Sequence, residues 1–363
     1  MSSGEMMSSN KMRGADVVAR RLADAGCTAV FGIPGGEVLT LVDAVEKAGM
    51  RFVLVRHENS GGFMAEGTYH ATGAPGVVLA TVGPGVANLV NAVANAQQDR
   101  VPLIVLTGCL DPSLTPTFSH QVFDHQAVLA PVCKASFRLE AGAEAAIIDK
   151  AVSIAREGRP GPVHIDVPMS VAEASAQLRR WHPAVCPSRA VDEALHKATE
   201  LLADAARPVV VVGNDVLLQD GEARVRAALE RLGAPVLTTY KAKGVVDEAS
   251  SIAVGAAGLS PKADDVLLPL VARADAALLV GYDPIEMRAG WRDPFAEDCA
   301  VVELCAVADT QFVHRCDLQL VGDVGANLEA LGAGLRWNEI WKEEPSKVRA
   351  ELERAFACPE EPS

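Results

Sequence analysis

Short, unbroken apolar runs alternate with stretches of helical apolar spacing along almost the whole chain, and each run ends in glycine, proline or a polar turn. Runs of this kind suit strands of a parallel sheet, which are buried on both sides by helices. Ala15, Val17, Val18, Leu22 and Ala25 fall on one helical face, and Gly26 stands where that helix stops. Thr28 to Ile33 then reads as a strand, Glu37 to Ala48 as a helix, Arg51 to Val55 as a strand and Glu58 to Ala71 as a helix. Val77 to Val82 and Leu103 to Thr107 continue the strands, with a helix over Val86 to Gln97 between them. The pattern predicts an α/β fold with right-handed crossovers.

A polar stretch from Cys109 to Pro131 is long for an idle connection. Beyond it come a helix near Ala143 to Glu157 and a strand at Val163 to Val167. Arg179 to Arg189, with Pro183 and Pro187, reads as a linker. Strands then recur at Val209 to Val212, Val236 to Thr239, Ala276 to Val280, Val301 to Leu304 and Leu318 to Val321. Helices are expected near 191–205, 221–232, 262–273 and 324–332. The expected organisation is two doubly wound, mainly parallel-sheet domains, 12–176 and 191–335, joined by a linker over 177–190 and followed by a tail over 336–363.

With 33 Lys+Arg against 47 Asp+Glu, a net charge of −14 and no basic run, the chain is not built to bind nucleic acid. Its eight cysteines form no C-x-x-C pair, the usage of a cytosolic protein with reduced thiols. The uncharged stretch Gly76 to Gln98 is broken by Gly83-Pro84-Gly85 and three asparagines, so it reads as strand, turn and buried helix and not as a membrane span. Met1 to Asn10 lacks the apolar core of a signal peptide, and a cytoplasmic location is expected.

The phosphate-loop and dinucleotide fingerprints, H-E-x-x-H and G-x-S-x-G, are absent. Cys305, His314 and Cys316 make no ligand quartet, so no metal site is expected from this chain. What remains is Arg56-His57-Glu58 at a strand-to-helix junction, the turn Ile33-Pro34-Gly35-Gly36, and Thr81 to Gly85 with Asn88 one turn on. Glu58 alone reads equally as an ordinary first-turn acid favoured by the helix dipole. All three loops, however, follow strand C-termini, where open α/β sheets take ligands, and their glycines allow close backbone approach. A small-molecule pocket follows.

These residues resemble the thiamine-diphosphate enzymes of the acetolactate synthase and 2-oxoacid decarboxylase group. The segments that carry the likeness are Gly14-Ala15-Asp16, Val30 to Gly36, Arg56-His57-Glu58, Ala71-Thr72-Gly73, Ala80 to Val90, Val101-Pro102-Leu103 and Gly158 to Val163. Arg207-Pro208-Val209 and Pro235 to Thr239, followed by Lys243-Gly244, resemble the central domain. The likeness runs from about residue 12 to 335. It implies that the first domain holds the aminopyrimidine of thiamine diphosphate and that Glu58 contacts its N1′ atom, promoting formation of the carbanion that attacks a 2-oxo acid. A dry setting for Glu58 is expected from Gly61, Gly62, Phe63 and Ala65. Pro34 and Gly35 would line the ring and Thr81, Gly85 and Asn88 would shape the second loop, each also readable as a turn or cap residue. Gln121 stands where the family has a glutamine on the cofactor or substrate side. His120 and Val122 depart from the acetolactate synthase pattern, as do Thr68, Tyr69 and His70. His120 and His125 read either as proton donors in an active-site loop or as surface histidines.

The family also uses a third domain that grips the diphosphate through Mg2+ at a Gly-Asp-Gly turn, and Gly322-Asp323-Val324 is the nearest match here. Three explanations stand: a split enzyme whose second subunit carries that domain, in a hetero-oligomer built on a dimer; a non-catalytic regulatory or binding subunit; or a fragment. Trp337, Ile340, Trp341, Val348, Leu352 and Phe356 recur at helical spacing, to dock either on a partner or on their own domain. In acetolactate synthases the central domain binds FAD, but Gly281 to Arg288 does not look like the flavin-binding version, although Arg288 could meet a phosphate. The expected activity is decarboxylation of a 2-oxo acid with protonation or carboligation of the enamine.

Overall fold

A computed structural model describes residues 12–179, 188–337, 341 and 343–357. Met1 to Asn10, residues 180–187 of the expected linker, Ile340, Cys186 and Cys358 lie outside the described residues. The chain divides into two units, Met1–Ala184 and Val185–Ser363.

The first unit runs β1 (Met12–Arg13), α1 (Gly14–Asp24), β2 (Ala29–Gly32), α2 (Leu39–Lys47), β3 (Arg51–Leu54), α3 (Glu58–Thr72), β4 (Gly76–Ala80), α4 (Pro84–Ala87), α5 (Val90–Gln98), β5 (Leu103–Cys109), α6 (His125–Leu129), β6 (Ala135–Arg138), α7 (Glu144–Arg156), β7 (Val163–Pro168), α8 (Met169–Glu173) and β8 (Ser175–Ala176). Six strands form a parallel sheet in the order β3-β2-β4-β5-β7-β6, and β1 pairs antiparallel with β8. Alternate residues serve opposite faces. Val77, Leu79, Ile104 and Leu106 join Leu22, Leu41, Val45 and Ile148 of α1, α2 and α7, whereas Val78, Ala80, Leu103 and Val105 join Ala65, Leu89 and Val93 on the side of α3 and α5. Both faces are therefore covered, as the unbroken apolar runs require.

The second unit contains α9 (Asp192–Leu202), β9 (Pro208–Val212), α10 (Asp215–Leu218), α11 (Glu222–Leu232), β10 (Val236–Thr239), β11 (Ala253–Ala257), α12 (Pro261–Val271), β12 (Ala276–Val280), β13 (Ala300–Cys305), β14 (Leu318–Val321), α13 (Val324–Gly332) and α14 (Glu344–Phe356). Its parallel sheet has the order β11-β10-β9-β12-β13-β14. Val210 and Val212 face α9, α11 and α13, and Val209 and Val211 face α12 and α14. Both sheets are doubly wound, in agreement with the sequence pattern.

The differences from that pattern lie at edges and breaks. Strands β6 and β11 were not expected, because Ala-Ser-Phe-Arg and Ala-Val-Gly-Ala-Ala carry no continuous bulky apolar run; both are sheet edges. The helix expected over Val86 to Gln97 is broken at Asn88-Leu89 into α4 and α5. The Cys109 to Pro131 loop contains α6, capped by Asp124, whose Oδ1 accepts from the Ala127 amide at 2.9 Å. Gly322-Asp323-Val324 is a helix cap, with Asp323 Oδ1 accepting from the Ala326 amide at 2.7 Å. The tail rests on its own unit: Trp337 is buried with Nε1 donating to the Leu202 carbonyl at 3.1 Å. In α14, Val348 and Leu352 pack into the core beside α12. Arg349 donates to the carbonyl of Ala253 at 2.9 Å, so α14 closes the β11 edge that would otherwise stay open for pairing.

Gly61, Gly62 and Ala65 lie on the inward face of α3, where a Cβ on Gly62 would collide with that of Ala92 in α5. Gly62→Val should therefore lower the stability of the first unit by about 1–3 kcal/mol through overpacking, measured as a lower urea midpoint for the full chain.

Candidate active site

In the first sheet the strand order reverses between β2 and β4, since β3 lies on one side of β2 and β4 on the other. A crevice opens beyond the carboxyl ends of strands at such a point. Three loops meet there: Ile33 to Gly36 after β2, Arg56 to Glu58 after β3, and Thr81 to Asn88 after β4.

Glu58 is the first residue of α3, where unpaired amides and the dipole favour a carboxylate. Only 7% of it is exposed. Asn88, at the break between α4 and α5, donates through Nδ2 to Glu58 Oε2 at 2.9 Å. The other oxygen lies close against Gly85, where an added Cβ would stand only 3.3 Å from Glu58 Oε1 and 3.4 Å from Thr81 Oγ1. Gly35 lies against the same threonine, with an added Cβ only 2.5 Å from Thr81 Cγ2. Gly35, Glu58, Thr81, Gly85 and Asn88 thus come together, with Pro34 exposed on the adjoining turn. Phe63 points away: five residues beyond Glu58 it leaves the inward face and is 41% exposed, so it does not dry the carboxyl.

His120 and Gln121 are exposed on the long loop. Gln121 adopts a left-handed backbone, φ 59°, and its main-chain carbonyl lies where a Cβ of Gly83 would go. His125 is not on the surface and not open to a reactant. It is buried, with Nε2 at 3.0 Å from the Gly83 amide and Nδ1 at 2.8 Å from Asp166 Oδ1.

Behind His125 stands a polar cluster that the sequence reading passed over. Thr107 Oγ1 is 2.7 Å from Asp166 Oδ1 and 2.8 Å from His164 Nε2, and His164 Nδ1 is 3.3 Å from Ser136 Oγ. Burial pushes the Asp166 carboxyl up, but hydrogen bonds from His125, His164 and Thr107 outweigh it and hold the group well below the usual carboxylate range. A signal was present: His164 and Asp166 are two apart in a strand and so share a face, and both interrupt an otherwise apolar run.

The second sheet has its own reversal, between β9 and β12. Here the turns are closed against each other, since a Cβ on Gly213 would lie 2.5 Å from the Gly281 carbonyl oxygen. The amides are taken up by the chain's own carboxylates. Glu286 Oε1 accepts from the amides of Asn214 at 3.0 Å and Asp283 at 3.2 Å, its Oε2 accepts from the Thr239 hydroxyl, and Asp215 Oδ2 accepts from the Ala306 amide at 3.1 Å. Arg288 is exposed, 4.0 Å from Asp264. Among the described residues there is no cluster of His, Cys, Asp and Glu able to hold a metal ion, and no helix is long and apolar enough to cross a membrane.

Residues 12–128 match the family model of the thiamine pyrophosphate enzyme N-terminal TPP binding domain, and residues 195–331 match that of the thiamine pyrophosphate enzyme central domain. The chain belongs to the thiamine-pyrophosphate-dependent enzymes, with the N-terminal and central domains of that family. Its relatives are acetolactate synthases. It is 33% identical over 345 residues to the acetolactate synthase of Mycobacterium leprae (strain TN), an overlap of 93% of this chain and 55% of that protein. It is 30% identical over 375 residues to the acetolactate synthase isozyme 1 large subunit of Escherichia coli (strain K12), covering 99% of this chain and 64% of the relative. The chain spans about half the length of the curated relatives it matches.

Burial pushes the Glu286 carboxyl up to about 7, against the pull of its hydrogen bonds from Thr239, Asn214 and Asp283. The folded state then binds a proton that the unfolded chain, with a value near 4.3, has released. Stability of this unit should fall as pH rises from about 4 to about 7, by roughly 3 kcal/mol from this group. Glu286→Gln should flatten that slope in urea titrations followed by tryptophan fluorescence, Trp291, Trp337 and Trp341 all lying in this unit.

Proposed function

We propose that this chain is the aminopyrimidine-binding part of a cytoplasmic, acetolactate-synthase-like enzyme that decarboxylates a 2-oxo acid and then protonates or carboligates the product. A single observation carries the reading: a buried glutamate at a crevice of strand C-termini, fixed by one amide through one oxygen, turns its other oxygen to the glycine turn after β4. A flat heteroaromatic ring fits such a cradle, and a carboxyl at its edge can share a proton with a ring nitrogen.

When bound, thiamine diphosphate supplies the carbon nucleophile and the electron sink for decarboxylation. Glu58 would hold the proton shared with the aminopyrimidine, and Asn88 keeps the carboxyl in one rotamer. Gly35 and Gly85, both packed on Thr81, would let the ring approach the backbone closely, and Pro34 would line the approach. His120 and Gln121, on the exposed loop, are assigned to the substrate side. Withdrawal of Glu58 from water keeps the proton in the site, since water would otherwise compete for it.

The diphosphate and Mg2+ are proposed to be held by a domain on a second subunit, in a hetero-oligomer built on a dimer. The central unit is proposed to take no flavin, because Glu286 and Asp215 already accept from the amides at its switch point and leave none of them for a diphosphate. Glu58→Gln should abolish turnover in the assembled enzyme while native mass spectrometry shows assembly intact. Unchanged turnover sinks the proton-sharing role. Absence of thiamine-dependent turnover with every co-purified partner would instead favour a non-catalytic subunit. Denatured enzyme should release no flavin fluorescence; a stoichiometric signal overturns the reading of the central unit.

A further inference from the structure

We infer that His125 is a positioning residue for this site, holding the Gly83 peptide through Nε2 in a tautomer that Asp166 selects. The inference rests on the proposed role of Glu58, because Gly83 begins the turn that walls that carboxyl.

At His125 the hydrogens admit one consistent arrangement. An amide can only donate, so His125 Nε2 accepts from Gly83 at 3.0 Å. The ring proton then lies on Nδ1 and is given to Asp166 Oδ1 at 2.8 Å. Thr107 has a single hydroxyl hydrogen and gives it to the same carboxylate oxygen at 2.7 Å. His164 Nε2, 2.8 Å from Thr107 Oγ1, therefore donates to it, and His164 Nδ1 lies 3.3 Å from Ser136 Oγ. His125 is thereby held in the Nδ1–H tautomer, with Nε2 left to accept from Gly83. A protonated His125 would set N–H against N–H at Gly83.

The turn depends on this anchor. Gly83 has φ 71° and ψ −113°, a conformation that side-chain-bearing residues rarely adopt, and no side-chain cap closes the start of α4. Two residues on, Gly85 packs against Glu58 Oε1. Five residues on, Asn88 fixes Oε2. Asp166 and Thr107 face each other across the paired strands β7 and β5, so the hydrogen bonds tie the turn to the middle of the sheet and not to the mobile end of a loop. A small displacement of Gly83 moves both walls of the cradle together.

Selective 15N-histidine labelling of the full chain tests the arrangement directly. His125 should show a protonated Nδ1 and an unprotonated Nε2, and the Gly83 amide should exchange slowly with solvent. In Asp166→Asn the new amide can donate to Nδ1, so the ring should switch to the Nε2–H tautomer and Gly83 should lose protection. His125→Leu should also lose it, whereas His125→Gln, whose amide oxygen can accept from Gly83, should regain part.

In the assembled enzyme supplied with thiamine diphosphate and Mg2+, Asp166→Asn and His125→Leu should lower kcat by roughly 100-fold, with KM for the 2-oxo acid little changed and His125→Gln recovering to within about tenfold. An imidazolium or an Nε2–H tautomer in the wild-type chain overturns the inference even if every variant fails to fold. Full kcat in a His125→Leu enzyme that has lost Gly83 protection overturns it as well. Glu58→Gln separates the two proposals, since it should leave the His125 tautomer and Gly83 protection as in the wild type. Turnover in that variant would remove the role of Glu58, while the nitrogen spectra would still decide that of His125.

Discussion

Taking one carboxyl group out of water at the first turn of α3 constrains most of what surrounds it. A buried carboxylate is costly unless donors or dipoles compensate it. Here the helix N-terminus and the Asn88 amide do so. That amide reaches Glu58 because the chain breaks between α4 and α5 at this residue. The second oxygen can lie so close to the turn after β4 because position 85 has no side chain, and Thr81 is held between Gly85 and Gly35. Helix start, helix break and two glycines on three loops therefore serve one group.

The same topology is finished in opposite ways in the two units. In each sheet the strand order reverses at a central pair, β2/β4 in one and β9/β12 in the other, and such a reversal opens a crevice at strand C-termini. In the first unit glycines bring the turns close around Glu58, and its principal turn is tied back to the sheet through His125 and Asp166. In the second, the amides that a phosphate would seek are satisfied by Glu286 and Asp215 from the chain itself. A parallel doubly wound sheet thus provides a place for a ligand without requiring one, and side chains a few residues beyond the strands decide between the two outcomes.

The buried cluster of Ser136, His164, Thr107, Asp166 and His125 shows how a loop can be given the precision of a strand. Thr107, His164 and Asp166 sit on central strands, where backbone motion is small, and α6 carries the histidine to them. The hydrogen-bond directions leave His125 no freedom of tautomer, so the turn at Gly83 is set by chemistry at the sheet and not by its own sequence. Networks of this kind are costly when half satisfied and specifying when complete.

Much of this was legible in the amino-acid sequence because it rests on local rules. Continuous apolar runs marked the central strands, helical spacing marked α1, α3, α7, α11 and α13, and glycine turns after strand ends marked the crevice where Glu58 lies. The edge strands β6 and β11 were not legible, since a strand with only one neighbour needs no long apolar run. Nor were the break at Asn88, the packing of α14 on its own unit, or the burial of His125. These depend on which residues distant in the chain meet: His125 finds its partners 42 and 41 positions away, at Gly83 and Asp166. Backbone preference and apolar period are properties of a few adjacent residues, and the sequence by itself determined the elements and the carboxyl at the helix start. The partner of a buried polar side chain is chosen by strand order and by the desolvation cost of every alternative, which only the tertiary structure decides.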